Sequence, residues 1–207
     1  GFPKGHNIGS NTVFGAKPDD IIAWVDSDVI VFPNWDAAYR KALLSRDTGM
    51  VSPCGARLLA DWSQLCYGYV DANYFGSSVS YDGIAVDSVP GMVCAMRYGV
   101  YQQTAGWDEQ VGVFCGPDLD LSLQVRQLGY VNRVIRIPVS HFGGGGQSHK
   151  FVHDFENSTK QSLRYLRNKW EGRQQECLLL QQGVPSIPCD YTTGPLLPSL
   201  EMTWKYT

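Results

Sequence analysis

Two aspartates one residue apart, Asp26 and Asp28, directly follow the apolar run Ile21, Ile22, Ala23, Trp24, Val25. Alternate carboxylates at the end of a strand give a hard divalent cation oxygen ligands and leave positions for phosphate oxygens and water. Acid pairs at strand ends also serve as turn formers or solvated edges, so the triplet needs its surroundings to acquire meaning. Farther on stand Trp107, Asp108 and Glu109, then Asp118 at the head of an apolar-periodic stretch, then His141 ahead of the run Gly143 to Gly146. A carboxylate placed like Asp118 can take a proton from a hydroxyl. A helix N-terminus, however, favours its charged form and weakens it as a base, and the same position suits a plain helix cap. Asp120 suits structural pairing, with Arg126 as a candidate partner. His141 offers a ring nitrogen to a metal or diphosphate, or packs as an ordinary hydrogen-bonded histidine. Trp107 offers a ring face to a sugar or to the core. His6, His149 and His153 have no spacing that argues for a metal site.

The elements that must position these groups alternate between strand and helix. Asp20 to Val25 is a short, almost wholly apolar run, suited to a central parallel strand buried on both faces. After Pro33 and Asn34, Trp35, Ala38, Tyr39, Ala42 and Leu43 recur on one helical face. Met50 to Pro53, Pro90 to Arg97 and Val131 to Ile137 read as further strands, and the polar, aromatic, Gly-rich stretch from Asp61 to Asp87 reads as loops over a site. Asp118 to Leu128 reads as a helix with Leu121, Val125 and Leu128 on one face and Gly129 at its stop. The four glycines from Gly143 mark a mobile loop, because their backbone entropy excludes them from a regular element. Beyond them Phe155, Leu163, Leu166 and Trp170 suggest a helix ending near Gly172, followed by an irregular, Pro-punctuated tail from Val184. The pattern predicts an open α/β sheet with its ligands beyond the carboxyl ends of the strands, where Asp26 and Asp28 fall. The core spans residues 1–150, and 151–207 form a C-terminal helix and tail.

Composition narrows the classes. With 207 residues and 43% hydrophobic content the chain can bury one substantial core. A net charge of −3 without a Lys/Arg stripe argues against nucleic acid as a partner. No apolar run approaches the ~18 residues of a membrane span, and residues 1–9 lack the charge and apolar core of a signal peptide. Cys54, Cys66, Cys94, Cys115, Cys177 and Cys189 contain no CxxC pair, which argues against a zinc ribbon or redox dithiol. The first four lie among apolar residues as expected of buried thiols, and Cys177 and Cys189 flank a turn that a bridge could close. The redox compartment stays open, with the cytoplasm as the default setting.

Taken together in order, these segments resemble glycosyltransferase family 2, whose catalytic domain has the GT-A fold. Gly5, Asn11, and a strand ending in Asp26-Ser27-Asp28 resemble its early Gly, Asn-containing helix and Asp-Ser-Asp. Gly106-Trp107-Asp108-Glu109 resembles its GGFDE segment. Asp118-Leu119-Asp120-Leu121 with Arg126 and Gly129-Tyr130 resembles its EDxDLxxRxxxxGY helix, and His141 resembles its late metal-side histidine. The resemblance implies transfer of a sugar from a UDP- or GDP-sugar to a glycan or other hydroxyl acceptor, with Mn2+ or Mg2+ as cofactor. It further implies that Asp28 and His141 hold the metal and diphosphate, and that Asn11, Asp26 and Ser27 serve the nucleotide side. Asp118 is then the general base, and Trp107, Asp108 and Glu109 face sugar or acceptor. Pro117 stands where the family usually has Glu, and Gln124 where it often has Arg. Family members carry a strand-helix-strand unit ahead of the matched part, and here nothing precedes Gly1. The expectation is therefore an exposed sheet edge and a nucleotide pocket completed by a further domain or chain.

Two other classes fit part of the pattern. A nucleotidylyltransferase also uses a strand-end acid pair for a metal, but the Gly-rich, Arg/Lys-bearing loop it needs near its start is not in the sequence. A non-catalytic carbohydrate-binding or scaffold module with this fold fits Pro117 and the missing front unit. It fits Asp26, Asp28, Asp118 and His141 standing together less well.

Overall fold

The computed structural model describes residues 2–13, 15–62, 64–68, 83–111, 116–141 and 155–183. The chain opens with helix α1 (Phe2–Asn11), strand β1 (Ile21–Val25), the short strand β2 (Val29–Val31), helix α2 (Trp35–Ala42), and strands β3 (Thr48–Ser52), β4 (Cys54–Leu58) and β5 (Gln64–Gly68). It continues through β6 (Ala85–Val86), β7 (Val93–Arg97), helices α3 (Tyr98–Tyr101) and α4 (Pro117–Gln127), strands β8 (Val131–Val134) and β9 (Val139–His141), and helices α5 (Phe155–Trp170) and α6 (Gln174–Cys177).

The main sheet has the order β1-β7-β3-β8-β6. Strands β1, β3 and β8 point one way, while β7 and β6 run against them, so the direct parallel pairing is that of β3 with β8. Alternating side chains face opposite layers, as the strand period of two requires. Met50, Cys94 and Met96 join Trp24, Leu121 and Val125 on the α4 side. Val51, Val93 and Ala95 join Tyr39 and Leu43 on the α2 side. Trp35, Ala38 and Ala42 pack against that second cluster, as their helical spacing predicts.

Strand β1 departs from the sequence reading. It lies at the end of the sheet order rather than its centre, and only Trp24 is buried, with Ala23 and Val25 exposed. An apolar run cannot reveal whether a second neighbour covers it, and among the described residues none does. The stretch read as loops contributes more structure than its weak periodicity suggested. Strands β4 and β5 form an antiparallel hairpin, and β6 joins the main sheet. Residues 69–82 lie outside the described residues, as do the glycines at 143–146 and the tail from 184.

Helix α4 is buried on two sides. Leu121 and Val125 face the sheet, while Leu119 and Leu123 meet Leu166, Trp170, Cys177 and Leu178 of the C-terminal segment. Close approach to β3 depends on Gly49, where a Cβ would collide with the Val125 side chain. Gly116 starts the helix at φ 109, a left-handed conformation that favours glycine, and a Cβ there would strike Leu166. Leu128, expected on the buried face, is 41% exposed because it lies past the last turn of the helix. Cys54, Cys94 and Cys177 are buried, while Cys189 lies outside the described residues. Among the described residues no helix is long and apolar enough to cross a membrane.

Candidate functional site

At the carboxyl end of β1 the backbone turns sharply. Asp26 N donates to Met92 O at 2.8 Å, and Val29 N donates to Asp26 O at 3.1 Å. The turn throws the chain into β2, which pairs antiparallel with β9 so that Val29 lies opposite His141. That register brings the two halves of a site together across more than a hundred residues. His141 Nε2 comes within 3.4 Å of Asp28 Oδ1. From the other side, Asp118 enters at the start of α4, its Oδ2 accepting from Gly91 N at 3.1 Å and its Oδ1 from Leu119 N at 2.9 Å. Gly91 and Met92 are adjacent, so one short backbone stretch ties Asp118 and Asp26 to the same corner. Ser27 is exposed at the tip of the turn.

The electrostatics of this corner are unbalanced. Burial, then the neighbouring Asp28 charge, push the Asp26 carboxyl up to about 6, with Asp118 adding to the rise and His141 opposing it. Burial also raises Asp118, outweighing the backbone N–H groups that favour its charged form. The helix N-terminus was expected to lower Asp118 and weaken it as a base. Desolvation has the larger effect here, and a raised carboxyl is the better proton acceptor near neutral pH. Gly116 takes the N-cap position without a side-chain cap, and Asp118 in the first turn accepts from Leu119 N of the same helix end, so a helix-end role and a base role coexist.

The segment expected to face sugar or acceptor divides into distinct roles. Trp107 is 1% exposed and packs edge-on against Trp24 at 5.3 Å between ring centroids, with His6 at 4.8 Å. Its ring packs into the core, the second of the two readings the sequence offered for it. Asp108 is turned inward, accepting from Tyr165 Oη at 2.9 Å, Lys169 Nζ at 2.6 Å and Gln110 N at 2.9 Å. Burial alone would raise its carboxyl, but these donors hold it below the usual range. Glu109 is the exposed acid of the three.

Asn11 ends α1 exposed, and among the described residues no contact ties it to the acidic corner. The asparagine of α1 with a visible task is Asn7. Its Nδ2 donates to Trp107 O at 2.8 Å and Glu109 Oε1 at 3.0 Å, and its Oδ1 accepts from Trp107 N at 2.9 Å and Tyr101 Oη at 3.3 Å. Sequence reasoning missed it because an asparagine one helical turn earlier is equally polar, and only tertiary contact separates them. Asp120 was expected to pair with Arg126. It instead accepts from Trp170 Nε1 at 2.8 Å and Lys169 Nζ at 2.9 Å, while Arg126 donates to Cys177 O and Tyr130 O.

Among the described residues no group of three or more His, Cys, Asp or Glu side chains is placed to hold a metal. Asp28 and His141 bring one carboxylate oxygen and one ring nitrogen within 3.4 Å of each other. That donor set fits a hard divalent ion that keeps several positions for diphosphate oxygens and water.

No protein-family model matches the chain. No curated protein matches it either. A solved structure does: the crystal structure of GalNAc-T7 with UDP, GalNAc and Mn2+ superposes with a TM-score of 0.57 at 13% sequence identity. The fold is GT-A-like. The match covers 83% of this chain and 35% of GalNAc-T7, so the chain spans about a third of that protein's length. In the GT-A-like sheet, the acidic corner lies beyond the carboxyl end of β1, the position at which open α/β sheets place ligands.

Proposed function

We propose that the chain is the catalytic part of a metal-dependent glycosyltransferase that moves a sugar from a nucleotide diphosphate-sugar to a hydroxyl acceptor. The observation that carries this reading is the convergence of Asp26, Asp28, Asp118 and His141 at one corner of a GT-A-like fold. A divalent cation held by Asp28 and His141, Mn2+ or Mg2+, would supply Lewis-acid stabilisation of the charge that grows on the departing diphosphate. Asp118 takes the proton of the acceptor hydroxyl as its oxygen bonds to the anomeric carbon. The bond from that carbon to the diphosphate oxygen breaks, and the nucleotide diphosphate leaves with the electron pair. Direct displacement of this kind inverts the anomeric centre through an oxocarbenium-like state. Asp26 orients the nucleotide ribose or the metal shell, with exposed Ser27 and Asn11 on the nucleotide side, and Glu109 faces sugar or acceptor. The GalNAc-T7 structure contains UDP, GalNAc and Mn2+, which supports the class of donor and of metal. The resemblance to family 2, and a partner domain or chain that completes the nucleotide pocket, belong to the same proposal.

The test is calorimetric titration of UDP and GDP, with and without Mn2+, on the wild type and on Asp28→Asn. Binding that requires both the metal and Asp28 is expected. Metal-independent binding, or binding that survives Asp28→Asn unchanged, overturns the metal role. A wild type that binds neither nucleotide favours the alternative of a non-catalytic carbohydrate-binding module. That alternative draws on the two-ligand limit of the corner.

A further inference from the structure

The long C-terminal helix α5 (Phe155–Trp170) holds a second charged cluster. Lys169 of α5 has 27% of its side chain exposed, and its ammonium donates to Asp108 Oδ2 at 2.6 Å and to Asp120 Oδ1 at 2.9 Å. Asp120 is fully buried on α4 and also accepts from Trp170 Nε1 and from Gln124 Nε2, each at 2.8 Å. Tyr165, one turn earlier on α5, donates to Asp108 at 2.9 Å. Gln124 extends the network to the preceding residues, its Oε1 accepting from Ala105 N at 2.8 Å and its Nε2 donating to Gly106 O at 3.1 Å. The stretch from Ala105 to Glu109 is thus held by α4 and α5 from below and by Asn7 of α1 from the other side.

Apolar residues of similar volume would fill this space with equal or greater stability, because desolvating two carboxylates and an ammonium is costly. Directional bonds fix a geometry that apolar packing does not. The geometry fixed here is the relation of two pieces of the candidate site: α4, which carries Asp118 at its start, and Glu109, the exposed acid next to Asp108. We propose that Lys169, supported by Tyr165, is a positioning residue. It bridges Asp108 to Asp120 and so holds the Glu109 carboxylate in register with the Asp118 end of α4, on the side of the site that receives the hydroxyl acceptor. The functional half of this inference rests on the transferase reading. The structural half does not.

The experiment uses Lys169→Met, Lys169→Arg and Tyr165→Phe in the intact chain, with three readouts. Hydrogen exchange of peptides covering residues 104–111 and 117–127 reads the clamp itself. Calorimetry with UDP and Mn2+ reads the donor side. UDP release from UDP-N-acetylgalactosamine, with water as acceptor, gives KM for the donor and kcat. In Lys169→Met, exchange in 104–111 is expected to rise at least about tenfold while 117–127 stays protected, because the segment loses its cation and α4 keeps its apolar contacts. UDP affinity and donor KM stay within about twofold, and kcat falls about tenfold, since misplacement affects the reacting geometry and not ground-state donor binding. Lys169→Arg, which keeps the charge, recovers most of kcat, and Tyr165→Phe shows a smaller loss in the same direction.

Unchanged exchange in 104–111 overturns the clamp. Raised exchange with unchanged kcat, or a donor KM that rises while kcat holds, overturns the positioning role. If Lys169→Met fails to fold, Lys169→Arg and Tyr165→Phe carry the same comparison. A wild type that neither binds nor releases UDP refutes the transferase reading and with it the positioning role, and the exchange measurement still decides whether the clamp exists.

Discussion

Two clusters of carboxylates sit in this molecule, and they are built on opposite plans. Beneath α5, Asp108 and Asp120 share the Lys169 ammonium, and hydrogen bonds from Tyr165, Trp170 and Gln124 complete the network. At the end of β1, Asp26, Asp28 and Asp118 gather with His141, and among the described residues no lysine or arginine pairs with them. The first cluster holds Asp108 below its usual range, while the second raises Asp26 to about 6. One acid group is neutralised internally, and the other carries like-charge repulsion that the proposed metal would relieve. A cation is the simplest agent to remove that repulsion.

The contrast can be broken most decisively through stability. Asp120→Ala removes the buried member of the paired cluster and should cost about 3–5 kcal/mol in urea unfolding, because it takes the acceptor from the Trp170 N–H and the Gln124 amide and leaves Lys169 with Asp108 alone. Asp28→Asn, measured without metal, should cost under about 0.5 kcal/mol or stabilise slightly, because it relieves like-charge repulsion. Equal losses in the two variants would mean that the acidic corner is structural.

The 107–109 segment sharpens the same point within three residues. Trp107→Ala should cost about 3–5 kcal/mol, as expected for a buried aromatic. Glu109→Gln should change stability by under about 0.5 kcal/mol, as at ordinary surface positions. A small effect at Trp107 would return its ring to the list of ligand contacts.

The pH dependence should carry opposite signs in the two clusters. Asp26 has a folded value of about 6 against a reference of 3.8. Its contribution to stability is therefore full below the reference value and is lost as pH rises through about 6. Asp108 is depressed, so its contribution is present above its reference value and lost as pH falls through the folded value. Asp26→Asn should flatten the decline in metal-free stability between pH 4 and 6, read from melting curves across that range. Saturating Mn2+ with UDP should also reverse the decline, since the bound cation favours the ionised acids, and affinity should rise with pH up to about 6. The smallest effect belongs to a control outside both clusters. Arg40→Ala, which breaks the exposed pair with Asp36 on α2, should shift stability by no more than about 0.5 kcal/mol.

What the sequence determined by itself were features governed by local periodicity and order along the chain. The helical face of Trp35, Tyr39 and Leu43, the Gly129 stop after α4, the strand ahead of Asp26 and the helix ending near Gly172 all follow from spacing, caps and breakers. Asp26 and Asp28 stood out in the sequence by type and by their place after an apolar run, while Asp118 and His141 stood out through the resemblance to family 2. Tertiary structure alone decided which polar residue meets which. It tied Asn7 to the Trp107–Glu109 stretch, gave Asp120 to Lys169 rather than Arg126, and turned Trp107 and Asp108 inward while leaving Glu109 exposed. It also placed β1 at the edge of the sheet and let burial override the helix N-terminus at Asp118. Each of these outcomes depends on groups far apart in the chain, where desolvation and hydrogen-bond geometry act between neighbours in space and leave no trace in local spacing.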